Sequence, residues 1–101
     1  MQNKYSSQGV LVRTNVLSTN TGSLIYDGIL SKSGASEIYA HIGYGDNHNW
    51  QGTSYIKMER TSSGFESSIT LNPILNLNVV FKDSASNWDT NSGQNYVFNT
   101  L

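Results

Sequence analysis

The sequence predicts an all-β protein, an immunoglobulin-like antiparallel β-sandwich of about seven strands. Helical periodicity is scarce. Short runs rich in Val, Ile, Tyr, Phe and Thr recur along the chain, each bounded by Gly, Asn, Ser or Asp. Within several of these runs apolar and polar residues alternate, as on a strand with one face on a core and the other in water. A chain of 101 residues supports a single hydrophobic core, and residues 1–101 are expected to form one domain.

Taken in order, the strands are expected from Val10 to Val16, Ser23 to Leu30, Glu37 to Tyr44, Ser54 to Thr61, Phe65 to Leu71, Leu75 to Lys82 and Asn95 to Thr100. The single proline, Pro73, falls in the turn LNPIL, where a missing backbone donor does least harm. Period-two alternation assigns faces. In LNLNVVFK it points Leu75, Leu77, Val79 and Phe81 inward and Asn76, Asn78 and Lys82 outward. In EIYAHIGY, Ile38, Ala40 and Ile42 point inward and leave Tyr39 and His41 outside. In SYIKMER, Ile56 and Met58 point inward, with Tyr55, Lys57 and Glu59 outside.

Composition narrows the function. Apolar residues make up 37% and charged residues 13%, with a formal net charge of -1, so neither a charge-driven disordered chain nor an electrostatic binder fits. The basic residues never cluster, which argues against nucleic acid as a partner. No apolar run reaches the length of a membrane span, and MQNKYSSQGV lacks the apolar centre of a secretory signal. Without cysteine there is no disulfide framework and no thiolate metal site. No cofactor is expected.

Both tryptophans stand in polar runs, HIGYGDNHNW and SNWDTNSGQNY. If the aliphatic rows and Phe81 fill the core, Trp50 and Trp88 are surplus to it and become candidates for a surface platform. Indole is a large, rigid contact surface with little conformational entropy to lose, and the axial C–H face of a sugar ring can lie against it. Asp46, Asn47, His48, Asn49, Asn87, Asp89, Asn91 and Gln94 surround the pair with groups that match sugar hydroxyls. Two structural alternatives stand beside this. A tryptophan more often packs a core or a loop, and His41 or His48 can be a solvated or backbone-bonded imidazole.

Other functions are weighed on the same residues. A glycoside hydrolase needs paired carboxylates, and Asp46, Asp83, Asp89 and Glu59 show no pairing in the sequence, so no catalytic residue is expected. A protein-interaction module would use Tyr39, Trp50, Tyr55 and Trp88 as an interface hot spot, usually with aliphatic neighbours. Calcium could in principle be held by Asp46, Asn47, His48 and Asn49, or by Asp83, Asp89 and Asn91. Neither run has EF-hand spacing, and Asx-rich loops more often build turns, so no metal site is expected.

EIYAHIGYGDNHNW, SYIKMERTSSGFESSITL and LNLNVVFKDSASNWDTNSGQNYVFN together resemble, in order, the body of a family 25 carbohydrate-binding module, a starch-binding domain. The resemblance covers residues 23–101 and is most specific in the histidine-bearing strand leading to Trp50 and in FKD followed by NWDxNxGxNY. It implies a sandwich that binds α-1,4-linked glucose chains such as starch without cleaving them. It implies a sugar-facing surface of His41, Trp50 and Trp88, with Lys57, Asn87, Asp89 and Asn91 as further candidates for hydrogen bonds to hydroxyls. It also implies an extracellular setting and an attached glycoside hydrolase catalytic domain, which these 101 residues do not contain.

Overall fold

Backbone pairing sorts the alternating runs into two antiparallel sheets. The computed structural model describes residues 3–5, 9–15, 18–72 and 74–98. In chain order these form β1 (Asn3–Tyr5), β2 (Val10–Asn15), β3 (Ser18–Tyr26), the single helical turn α1 (Ile29–Lys32), β4 (Ile38–Asp46), β5 (Asn49–Lys57), β6 (Glu59–Thr61), β7 (Gly64–Thr70), β8 (Leu77–Asp83), β9 (Trp88–Asp89) and β10 (Tyr96–Phe98). The first sheet has the order β1-β2-β3-β7-β6; the second has β10-β8-β4-β5, with β9 beside β8. The chain changes sheet after β3, β5 and β7. These are the crossings of an immunoglobulin-like sandwich, so the all-β expectation holds.

The inward rows meet between the sheets as alternation requires. Val12, Leu24 and Phe65 of the first sheet face Ile38, Ala40, Leu77, Val79 and Phe81 of the second, and all are buried. Tyr26 stacks on Phe81 at 4.1 Å between ring centroids, and Tyr96 meets the same ring edge-on at 5.6 Å.

Several expectations are corrected by local chemistry. The run from Ser23 to Leu30 is not all strand, because Gly28 starts α1. A Cβ there would lie 2.6 Å from the Tyr26 ring, so only glycine lets the chain turn that closely. Ser54 to Thr61 is two strands on different sheets, joined at buried Met58, whose backbone N–H donates to the Ile38 carbonyl. Strand β8 starts at Leu77 rather than Leu75, since the Asn72 side chain accepts from the backbone N–H of Ile74 and Leu75. Asn78 points outward by its register with Gly43 but is fully buried, its side-chain amide donating to the Gly45 carbonyl. Val16, Pro73 and the 99–100 end of the last expected strand lie outside the described residues.

Candidate functional site

Residues Tyr39 and His41 of β4 project from the outer face of the second sheet. Registers across β4 place Lys57 and Lys82 opposite Tyr39, and Tyr55 and Val80 opposite His41. The next outward position on β4, Gly43, lies opposite Asn78. Cross-strand side chains on one face are close enough to touch, and here the contacts are aromatic. His41 and Tyr55 stack almost parallel, 4.2 Å apart with 7° between planes. Tyr55 remains 60% exposed, so the other face of its ring is open to a ligand.

Trp50 reaches this face through an irregularity. Ile42 pairs with Ser54 but Tyr44 pairs with Gln51, so Gly52 and Thr53 together oppose Gly43, and Gly52 has φ +60. One extra residue reverses the inward–outward alternation of a strand. Counting by twos from outward Tyr55 would turn Trp50 toward the core; the bulge places it opposite Gly45 and outside. Its indole then lies over Gly43, where an added Cβ would be 2.6 Å from Trp50 Cε3. It stands 5.3 Å from His41 with 48° between planes.

Trp50 therefore belongs to an edge strand and not to a long loop. The polar run folds back in a tight hairpin, with Asn47 and His48 as the turn and the Asp46 carboxylate accepting from the His48 backbone N–H. The indole Nε1 donates to the Asn47 carbonyl, at 2.8 Å. That bond orients the ring and leaves its exposed surface as the feature a partner can meet. Asn47 is braced in turn by the second polar loop, donating to the Gln94 carbonyl and accepting from Asn95 Nδ2.

Trp88 stands at the other end of the face. Strand β9 pairs it with Lys82, whose ammonium lies 5.6 Å from the Trp88 ring centroid and 5.8 Å from that of Tyr39. Six residues along β4 and three strand spacings separate the backbones of Trp50 and Trp88 by roughly 25 Å. The expected trio is thus not one cluster. His41 and Trp50 are neighbours, whereas Trp88, 46% exposed, is linked to them by Tyr39 and Lys82. Tyr39, Lys82 and Tyr55 were all legible in the sequence as outward residues, Tyr39 and Tyr55 as parts of an alternative protein interface, but none of them as part of the sugar-facing surface.

The weaker polar candidates divide. Lys57 lies on the face and forms an ion pair with Glu37 at 3.1 Å, while Tyr39 Oη donates to the same carboxylate. These contacts hold Glu37 below the usual carboxylate range and raise Lys57, so both stay charged. Asn87 donates from its backbone and its side chain to Asp83. The Asn91 side chain donates to the Asn95 carbonyl, closing a loop in which both residues take positive φ, a conformation asparagine tolerates. The two Asx-rich runs serve turns in this way, and among the described residues no group of His, Asp or Glu could hold a metal ion.

Asp89 lies inside the molecule, 7% exposed. Its carboxylate accepts from Tyr26 Oη at 2.7 Å, from Tyr96 Oη at 2.9 and 3.0 Å, and from the Asn91 backbone. A carboxylate so occupied has no surface to offer a ligand. Burial first, then the adjacent carboxylate, raises both tyrosine hydroxyls far above their ordinary range. For His41 burial works the other way, holding the imidazole below its usual value and so neutral at pH 7.

Comparison with known proteins agrees at the level of fold. No family model matches the chain, and no curated protein matches it. Among solved structures it is similar to the Br derivative of BhCBM56, a carbohydrate-binding module, with a TM-score of 0.53 at 11% identity over 97% of this chain and 94% of that one. The protein has the fold of a carbohydrate-binding module; membership of family 25 finds no support in a family model.

Proposed function

We propose that the protein is a non-catalytic carbohydrate-binding module that holds α-1,4-linked glucan on the outer face of its second sheet. The observation that carries this is the tilted aromatic group of Trp50, His41 and Tyr55, continued through Tyr39 and Lys82 to Trp88. Rings inclined to one another suit a curved glucan chain better than a flat one. Their surroundings are Asn, Ser, Thr and Gly, with polar groups that can pair with hydroxyls. The role assigned to Lys57 is a rim contact, through ammonium protons left over from Glu37. Asn87 and Asn91 shape the Trp88 loop, and Asp89 is excluded as a contact. Starch or a related α-glucan is the intended ligand, and the module's task is to bring an attached amylase-type enzyme to it outside the cell.

The test is a tryptophan-fluorescence titration with maltoheptaose, alongside cellohexaose and laminarihexaose. A saturable change with the maltooligosaccharide alone is the expected result. Saturation with laminarihexaose alone would keep the platform and replace its ligand by β-1,3-glucan. No change with any of the three would remove the carbohydrate reading in favour of a protein partner, which the exposed Tyr55 and Trp88 side chains would also suit.

A further inference from the structure

On the side of Trp88 away from the platform lies a notch of about 490 Å³, between α1 with its following turn and the loop after β8. Ile29, 65% exposed, and Trp88, 46% exposed, are its exposed large apolar side chains, with Ser36, Ser84 and Asn87 among its polar lining. An aliphatic side chain left in water on the helical turn α1 contributes little to folding.

The walls are braced. Tyr26 Oη accepts from the Leu30 backbone N–H while donating to Asp89, the residue after Trp88, so α1 and Trp88 are fixed to the same buried carboxylate. The turn after α1 is held by Arg60 Nη2 donating to the Ala35 carbonyl, and the opposite loop by Asp83 accepting from the backbone of Ala85 and Asn87. Such a site keeps its shape without a ligand, which lowers the entropic cost of filling it.

We propose that this notch is a terminal subsite: a glucan lying along the platform passes Trp88, and its chain end seats between Ile29 and Trp88. The inference rests on the carbohydrate reading above. The notch volume falls in the range of small-ligand sites and takes roughly one or two sugar rings. Continuity with the platform through Trp88 identifies the occupant. The module is then a reader of chain ends as well as of chain surface.

Calorimetric titration with maltooligosaccharides and laminarioligosaccharides of two to eight units tests this, in the wild type and in Ile29→Ala and Ala85→Arg. Both positions are solvent-exposed, and thermal melts establish that the variants fold. In the wild type, affinity is expected to rise with chain length until platform and notch are both filled. In the variants the rise stops earlier, and the longest chains lose about three- to tenfold, a loss of the size that removing apolar contact produces. β-Cyclodextrin has no chain end and is expected to bind all three proteins equally. Length series that coincide in wild type and variants, or cyclodextrin affinity that falls along with them, would overturn the notch and leave the platform standing. A wild type that binds neither series would overturn both.

Discussion

Replacing Asp89 by Asn separates a structural carboxylate from a sugar contact. The carboxylate joins Tyr26 of the first sheet to Tyr96 and the Asn91 turn of the second. Asparagine keeps one acceptor oxygen and presents an amide to a hydroxyl that now donates to an anion. Tyr26 Oη cannot simply reverse, because its own proton, which now goes to Asp89, would then lose its acceptor. One charge-assisted hydrogen bond is lost and another becomes neutral, at about 1.5–3 kcal/mol for each charged bond, so the expected loss is about 2–4 kcal/mol. For a domain near this length each kcal/mol moves Tm by about 4–8 °C, giving a fall of about 8–32 °C. Near-ultraviolet circular dichroism during heating measures it. The variant is expected to bind oligosaccharide nearly as the wild type does while it stays folded. An unchanged Tm together with weakened binding would refute the reasoning and return Asp89 to the ligand surface.

Other perturbations probe the face and the core. Trp50→Ala and Trp88→Ala are each expected to weaken glucan binding by about 1–3 kcal/mol in folded protein, read by calorimetry, because each removes an exposed aromatic contact. Gly43→Ala puts a methyl group where the Trp50 indole lies; the expected result is a shifted fluorescence maximum and affinity reduced about tenfold or less, with far-ultraviolet dichroism unchanged. At high pH, unfolded tyrosines ionise near 10 while Tyr26 and Tyr96, both raised, hold their protons. Stability is therefore full below about pH 10 and lost as pH climbs beyond it, which urea midpoints across that range would register. The sign reverses for His41, lowered in the fold: its contribution is present above about pH 6.5 and declines as pH falls below it, and His41→Gln should flatten that slope.

Much of the architecture was legible because alternation records burial directly. The rows Ile38, Ala40 and Ile42, and Leu77, Val79 and Phe81, point inward as expected, and all are buried. Edges were harder to see. Strand β5 lies at the margin of its sheet with most residues exposed, so it needs no apolar pattern, and its polar start resembled a loop. The two residues of β9 leave no pattern to detect. Asn78 misled because alternation gives the direction of a side chain and not what covers it.

For this protein the local sequence determined the class of fold, the inward faces of the main strands and the presence of aromatic side chains without a place in the aliphatic core. These properties follow from residues two apart on one strand. Only tertiary structure decided which polar residues are buried and which aromatics share a surface. Asp89 entered the core because Tyr26, 63 residues away in the sequence, donates to it together with the nearer Tyr96. Trp50 came to the outer face through a bulge whose existence depends on pairing with β4. Tyr39, Lys82 and Trp88 met because three strands brought them into register. Burial and pairing across strands depend on contacts between distant parts of the chain, which neighbouring residues do not encode.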